Sequence, residues 1–332
     1  MKLCVGLNGD RENAEKIVSE CGDKIYELFA ASPPEICGSG RPLSATRRMT
    51  EEELEYHISF AHKNGLKYNI LLNPGCWNAL EFDKAVRSRI VDFIKRMIDT
   101  GVDALTITNP FIIELVAQEK INGRPKIVVS TYEHISDPIQ AKYFKDFGAD
   151  RFIVEASVQK NFPLLKAIKE VSGLDIEIFV HNQCLYQCPW RYHHANWSGH
   201  ASINQNVADH FSDPYVKNCR VIRVKDPSFI FYTNLIRPED LVLYENALGI
   251  EHFKIASRNM RTERAIELVR MYSNRKWNGE IGYLCGGIPV KNTPPNEFFE
   301  GFLESVVWHP EQYLKKCREF HHKWEISNHA RE

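Results

Sequence analysis

The feature that most constrains the fold is a repeated unit of a short apolar run, a turn and an amphipathic stretch, which recurs along most of the 332 residues. Parallel strands need long crossovers, which helices usually provide. The pattern therefore predicts a closed (β/α)8 barrel of the TIM type, with an open doubly wound sheet as the alternative. The predicted strands lie at residues 2–7, 24–30, 66–72, 103–107, 125–130, 151–155, 175–180 and 252–256. The predicted helices between them include residues 50–64, 82–100, 137–147, 161–171 and 261–272.

Glycines at the helix ends support this interpretation. Gly65, Gly101, Gly148 and Gly249 each follow a helical pattern and precede a strand. A left-handed residue is expected at such a position, and glycine adopts that conformation without steric cost. At the other end of a helix, Thr50 and the glutamates that follow it predict a capping box.

Composition and charge narrow the range of partners. The 42 basic and 43 acidic residues nearly cancel, so no overall field attracts nucleic acid or anionic lipid. No apolar run approaches the roughly 20 residues that cross a bilayer, and the first residues lack a signal-peptide pattern. We therefore expect a cytoplasmic protein with a small-molecule substrate and with neither membrane nor nucleic acid as a partner. In a reducing compartment the nine cysteines favour metal binding, nucleophilic chemistry or burial over disulfides.

The domain organisation is predicted as one barrel with two additions. Residues 1–290 form the barrel, and the regular alternation breaks at residues 181–237, after the seventh strand. That segment is too long for an ordinary loop, and barrel active sites are built from such loops. Residues 291–332 are helical and rich in aromatic side chains, and we expect them to pack across the exterior or the bottom of the barrel.

Three cysteines of the inserted segment form a partial metal site. Cys184 and Cys188 are separated by three residues on one loop, and Cys219 comes from the far end of the segment. Two such thiolates can chelate one metal centre, and a third can join them. The fourth ligand should come from the carboxyl end of another strand, because those ends converge at one face of a barrel. We favour Cys76, just past the third strand, over Cys37, which follows the second strand.

The remaining cysteines, Cys4, Cys21, Cys285 and Cys317, fit the pattern of buried small hydrophobic residues. Four thiolates suit an iron–sulfur cluster or a structural zinc, and the spacing does not decide between them. Unrelated buried cysteines are the third alternative.

Two histidines follow the cysteine pair. His193 and His194 complete a Cys-x3-Cys-x4-His pattern that suits zinc with mixed ligands. Neighbouring side chains point in different directions, so at most one of the two would join the same centre. They are equally consistent with substrate contacts or with a solvated loop.

Ionisable residues at the predicted strand ends are candidates for the active site. Arg41, Lys254 and Arg258 would face the barrel mouth, where cations can bind a carboxylate or a phosphate. Glu155 and His181 are the candidate acid–base residues, because burial at such a mouth tunes their proton affinity. The alternatives are ordinary salt bridges and hydrogen bonds that fix loops.

The residues also resemble a known family. The barrel pattern, the cysteine segment, the block at residues 236–241 (IRPEDL) and the block at residues 249–258 (GIEHFKIASR) are together similar to the peptidase U32 (collagenase-like) family, over residues 36–272. The resemblance implies a (β/α)8-like barrel with a four-iron four-sulfur cluster held by cysteines. It also implies a link to oxygen-independent hydroxylation, of RNA bases or of ubiquinone precursors, as in members with assigned roles.

The chain departs from the family pattern at two places. Val242 stands where the family often has a cysteine after the Asp-Leu pair, so one cluster ligand must come from elsewhere. Ala256-Ser257-Arg258 replaces the favoured Glu-Gly-Arg, which leaves the substrate class open. The nucleic-acid-handling domain of longer members has no obvious counterpart here, which favours a small-molecule substrate.

The resulting hypothesis is an iron–sulfur enzyme that hydroxylates, or transfers oxygen to, a small anionic or aromatic molecule. One alternative is a zinc-dependent hydrolase or peptidase that uses the same thiolates with His193 or His194. The other is a cluster-bearing, non-catalytic subunit that partners a homologous chain.

Overall fold

The eight predicted strands are present and close into a parallel barrel. The computed structural model of the chain describes residues 1–118, 124–203, 213–225, 227–285 and 293–329. Each strand pairs with the next in chain order, and β8 closes the barrel by pairing with β1. The prediction of a (β/α)8 barrel is confirmed, and the open sheet is excluded. The strands β1 to β8 are Lys2–Gly6, Ile25–Ala31, Lys67–Leu72, Ala104–Ile107, Lys126–Val129, Arg151–Ile153, Asp175–Phe179 and His252–Ile255.

Helices connect the strands and extend beyond them. In chain order α1 to α13 are Arg11–Cys21, Pro34–Cys37, Glu51–Lys63, Lys84–Thr100, Pro110–Gln118, Pro138–Asp146, Phe162–Ser172, Arg191–Ile203, Pro214–Lys225, Leu241–Leu248, Thr262–Ser273, Glu304–Val307 and Tyr313–His329. Within the described ranges, none of them is long and apolar enough to cross a membrane.

Local signals set the helix boundaries as the sequence predicts. The Thr50 hydroxyl accepts a hydrogen bond from the Glu53 N–H at 3.2 Å, and the Glu53 carboxylate accepts one from the Thr50 N–H at 3.0 Å. This capping box satisfies two amides that would otherwise lack partners at the start of α3. Gly101 ends α4 with φ +98°, where a side chain would be strained.

The hydrophobic core surrounds the barrel, because alternate strand residues face opposite sides. Leu3 and Val5 on β1 point outward and join the large cluster under the helices. Cys4, between them, points inward and packs with Phe29 and Leu71. The helices therefore bury one face of each strand, and the other face fills the barrel.

The barrel interior also holds a buried network of charges. Arg151 Nη2 donates to both oxygens of the Glu27 carboxylate at 2.8 Å, and Arg151 Nε lies 3.1 Å from Glu177 Oε2. Lys254 Nζ donates to Glu177 Oε1 at 3.0 Å and lies 3.8 Å above the centre of the Phe29 ring. Two cations and two carboxylates thus neutralise each other where many barrels place apolar layers.

The insertion lies between β7 and α10, and its helix α8 packs closely against the loop after β3. A Cβ at Gly75 would lie 2.4 Å from Ala195 O, and a Cβ at Gly199 would lie 2.9 Å from Cys76 N. Backbone therefore meets backbone where α8 crosses the loop after β3. The parts of the insertion at residues 204–212 and 226 lie outside the described residues.

The carboxyl-terminal extension packs against the insertion. Phe231, at the end of the insertion, lies with its ring centre 5.1 Å from that of Phe299, and Cys317 Sγ donates to Phe231 O at 2.9 Å. Phe302 and Phe320 continue the aromatic cluster at 4.9 Å. The extension is helical, as predicted, and it also contacts the barrel helix α7, where the ring centres of Trp308 and Phe162 lie 5.5 Å apart. Residues 286–292 lie outside the described part of the chain.

Candidate functional site at the barrel mouth

The loop that carries Cys184 is fixed by backbone hydrogen bonds. Asn182 Oδ1 accepts from the Cys184 N–H at 2.9 Å, an Asx turn directly after His181. Asn234 N–H donates to Cys184 O at 2.9 Å, and Tyr186 N–H donates to Tyr232 O. The two ends of the insertion therefore pair with each other and hold Cys184 above the end of β7.

Cys219 reaches the same loop from α9. Arg223 lies four residues after Cys219, so both side chains share one helix face. Arg223 donates to Gln183 Oε1 at 2.8 Å and to Gln183 O at 2.9 Å. This guanidinium ties α9 to the residue just before Cys184.

The three predicted thiols act on one another electrostatically. Cys184 is exposed as a residue, while Cys188 and Cys219 are partly buried, and all three are free. Burial of the sulfur atom raises the pKa of Cys184 to about 11, and the nearby Cys219 and Cys188 add to this rise. Burial first, and Cys188 in addition, also raise the pKa of Cys219 against the opposing effect of Arg223. The three thiols therefore act on one another's ionisation, but they are not among the ligand groups of the described residues whose atoms all lie within 4.8 Å of one another.

The segments that carry the two candidates for a fourth ligand both contact α8. Cys76 is partly exposed, and its sulfur accepts a hydrogen bond from the Asn78 N–H at 3.4 Å. Cys37 is buried, and burial raises the pKa of its thiol to about 12. Cys76 is the more accessible of the two, and the choice between them stays a prediction.

Cys285 is a further thiol in this neighbourhood that sequence reasoning assigned only to the core. It is fully buried, and burial raises the pKa of its thiol to about 12, while Arg223 and Arg264 oppose the rise. Arg223 acts in the same way on Cys184 and Cys219. No local pattern marks Cys285, because its proximity to Arg223 arises only from the tertiary fold.

Glu155 holds the start of α8 in place. Its carboxylate lies 3.1 Å from Arg191 Nε and 3.5 Å from His134 Nδ1, and accepts from the Ser157 hydroxyl at 2.6 Å. Burial raises the pKa of Glu155, but His134, Ser157 and Arg191 outweigh it and leave the pKa lowered. An ionised Glu155 therefore anchors Arg191, three residues after Cys188.

His181 is the most poorly satisfied side chain at the mouth. It is buried, with only 2% of its surface exposed, and neither ring nitrogen has a hydrogen-bond partner among the residues that the structure describes. Burial, together with the positive charges of Arg264 and Arg41, lowers its pKa to about 4. His181 is therefore neutral at pH 7, with one nitrogen free to accept a proton.

The two histidines of the zinc alternative, His193 and His194, have different surroundings from each other. His194 Nε2 lies 2.9 Å from Asp213 Oδ2, and its ring stacks on Tyr215 with centres 5.4 Å apart. His193 is exposed. The described contacts of His194 join α8 to the start of α9 and occupy its Nε2.

The three predicted substrate-binding cations divide into two groups. Lys254 is buried within the barrel and paired with Glu177, so its position differs from the predicted exposure at the mouth. The strand's alternation turns Lys254 inward, one layer below the end of β8. Arg41 and Arg258 do lie at the mouth, and Arg41 lowers the pKa of Arg258 in addition to the larger effect of burial.

A second group of ligand-type atoms lies inside the barrel. Cys4, Glu27 and Glu177 offer atoms within 4.8 Å of one another, a spacing at which they could hold a metal ion. Arg151 and Lys254 already neutralise both carboxylates. A metal ion there would have to displace one of these two cations.

Comparison with known proteins places this architecture in a family. The model for peptidase family U32 matches residues 40–277. An uncharacterized protease of Methanocaldococcus jannaschii is 25% identical over 283 residues, which cover 82% of each chain. The solved U32 peptidase Mk0906 has a TM-score of 0.50 at 18% identity, covering 62% of this chain and 79% of that one, and this likeness shows the fold alone. The match over most of its length shows that this chain belongs to peptidase family U32.

Proposed function

We propose that this chain is an enzyme that holds an iron–sulfur cluster at the barrel mouth and hydroxylates, or transfers oxygen to, a small anionic or aromatic molecule. The observation that supports the proposal is the pair of hydrogen bonds from Arg223, one helical turn after Cys219, to Gln183, which precedes Cys184 on the loop at the carboxyl end of β7. In barrels of this type, that face is where active sites are built.

The donor set fits an iron–sulfur cluster. Cys184, Cys188 and Cys219 are free thiols on two separate elements that are tied together by Arg223. Thiolates are the usual ligands of such clusters, and a nearby guanidinium stabilises them before the metal is bound. Cys76 is the proposed fourth ligand, with Cys37 and Cys285 as the other thiols near α8 and α9. When bound, a cluster supplies one-electron transfer and a site that polarises oxygen ligands.

Two other residues have assigned parts in the proposal. Glu155 is a positioning residue, because its carboxylate is occupied by Arg191, His134 and Ser157. His181 is the acid–base residue, since it is neutral and both of its ring nitrogens lack protein partners. A proton released from substrate would pass to one of these nitrogens.

The proposed reaction is a two-electron oxidation of the substrate. Conversion of R–H to R–OH with water releases two protons and two electrons, which would pass to an electron-acceptor protein or a small redox molecule. If an organic hydroxyl donor supplies the oxygen, that donor is reduced by two electrons instead. Isotope-labelled water distinguishes these two balances by whether its oxygen appears in the product.

Anaerobic purification followed by iron and sulfide quantification tests the centre directly. We expect wild-type protein to be brown and to contain iron and acid-labile sulfide, and Cys184→Ala and Cys188→Ala to lose both. Cys21→Ala is the matched control, because it removes a buried thiol on α1, away from the insertion. A colourless wild-type protein without iron would contradict the proposal. Among Cys76→Ala, Cys37→Ala and Cys285→Ala, the variant that loses iron identifies the fourth ligand.

The hydrolase alternative is tested by the same analysis. It is favoured by the protease named as a relative, and it requires zinc on the thiolates with His193 or His194. Bound zinc without sulfide, lost in Cys184→Ala, would support it and contradict the cluster.

A further inference from the structure

A buried guanidinium without a partner lies next to the proposed active site. Arg258 follows β8 and has only 8% of its surface exposed, and its Nη1 is buried without any hydrogen-bond partner. A Cβ at Gly6 would lie 3.0 Å from Arg258 Cγ and 3.0 Å from the Phe29 ring. The absence of a side chain at Gly6 therefore lets the stem of Arg258 lie across the end of β1.

A second guanidinium is held beside it by the loop after β2. Arg41 Nη1 donates to the Tyr132 hydroxyl at 3.5 Å, and that hydroxyl donates to Gly40 O at 2.8 Å. Gly40 N–H donates to Asn73 Oδ1 at 3.3 Å. A Cβ at Gly40 would lie 2.3 Å from the Tyr132 ring, so only glycine allows this approach. The loop is therefore built to bring Arg41 over the mouth.

The two arginines lack a balancing negative charge. Within the described part of the chain, neither Arg41 nor Arg258 forms an ion pair with a carboxylate. The groups that act electrostatically on Arg258 are Arg41 and the Tyr132 phenol. Buried charges in proteins are normally paired, because the interior solvates them poorly. An unpaired buried arginine beside a second arginine thus calls for an anion from outside the protein.

We propose that Arg41 and Arg258 form the binding site for the carboxylate or phosphate group of the substrate. A guanidinium presents parallel N–H donors that match two oxygens of either group. Arg258 Nη1 supplies a buried donor after β8, and Arg41 supplies a second one from the loop after β2, on the other side of β1. His181, with its two unpaired nitrogens, lies near Arg41 and would face the bound molecule.

This inference rests on the proposed function and names the substrate class for the same site. Arg41 acts electrostatically on Cys184 as well as on His181 and Arg258. An anion held by the two arginines would therefore have the rest of its structure beside the thiols and His181. The anion anchors the substrate, and the reacting carbon lies toward the cysteines.

Calorimetric titration with inorganic phosphate and, separately, with benzoate tests the site. We expect saturable binding of at least one of these probes to wild-type protein, and at least tenfold weaker binding to Arg258→Gln and Arg41→Gln. Preference for phosphate or for benzoate distinguishes a phosphate ester from a carboxylate. Arg96→Gln is the matched control, because it removes an exposed arginine paired with Glu51 and should leave binding unchanged.

The melting temperature of each variant distinguishes a lost binding site from a protein that no longer folds properly. Without added anion, Arg258→Gln should have a higher melting temperature than wild type, because it removes an unpaired buried charge beside Arg41. A structural role for Arg258 predicts the opposite shift. Absence of binding to wild type, or equal binding to Arg258→Gln, would overturn the inference. If Cys184→Ala contains no iron but still binds the anion, the anion site is supported independently of the proposed cluster.

Discussion

Glu155 is a single residue whose charge helps to hold α8 next to the cysteine-bearing loop. Glu155 is buried, with 4% of its surface exposed, and its carboxylate lies against Arg191 at the start of α8. The neighbours of Glu155 lower its pKa, so the contact stabilises the fold above the ordinary carboxyl pKa of about 4.3. This contribution is lost as the pH falls through the lower pKa of the folded state.

We predict that Glu155→Gln destabilises the protein at pH 7 by about 1–3 kcal/mol, because it leaves Arg191 without its charged partner. The difference from wild type should shrink as the pH falls through the lowered pKa of Glu155 in the folded protein, where Glu155 itself becomes protonated. Urea unfolding at pH 7 and over an acidic pH series measures both effects. Glu170→Gln is the control, since Glu170 is exposed and lies 3.9 Å from Lys166. Equal stability of Glu155→Gln and Glu170→Gln would contradict the anchoring role.

At the scale of elements, α8 depends on close backbone contact with the loop after β3. The buried face of α8 consists of small residues, which are Ala195, Ser198, Gly199, Ala201 and Ser202. Its low side-chain volume lets the helix cross the barrel mouth next to Cys76. The sequence predicts an inserted segment here. The small residues on this face of α8 are explained only by the structure, which places the loop after β3 against them.

We predict that Gly199→Ala destabilises the protein by about 1–3 kcal/mol, the usual cost of overpacking. The added Cβ would lie 2.9 Å from Cys76 N and 3.0 Å from Gly75 N, and backbone atoms cannot rotate away. Asn196→Ala, on the exposed side of the same helix, should change stability by less than about 0.5 kcal/mol. Denaturant titration compares the two variants, and an unchanged Gly199→Ala would show that α8 can move off the loop.

At the scale of the whole molecule, the barrel is closed around charges as well as apolar groups. Glu177 is fully buried and contacts both Arg151 and Lys254, which hold its pKa well below its usual range. The four charges balance only because β2, β6, β7 and β8 meet in the interior. Their mutual attraction offsets the cost of removing them from water.

We predict that Glu177→Gln costs about 3–5 kcal/mol, because it leaves a buried excess of positive charge. Asp146→Asn removes an exposed carboxylate 2.6 Å from Lys142 and should cost at most about 1 kcal/mol. The free energy of unfolding of each variant measures the difference. A Glu177→Gln protein as stable as Asp146→Asn would show that the interior charges are solvated in another way.

Local patterns in the sequence determined the eight strands, the helix boundaries and the position of the insertion. Apolar periodicity, a cap such as Thr50 and a left-handed glycine such as Gly101 act over a few residues, so they are visible without the fold. They also identified Cys184, Cys188 and Cys219 as a group, since the three share one inserted segment.

Only the tertiary structure decided which side chains share an environment. It turned Lys254 into the barrel toward Glu177, left Arg258 buried without a partner, and brought Arg223 near Cys285. Tyr132 likewise contacts Gly40 across 92 positions of sequence. Such contacts depend on the closure of the barrel and on the path of the insertion. They cannot be predicted from the sequence, because charge and burial act through space between residues that are distant along the chain.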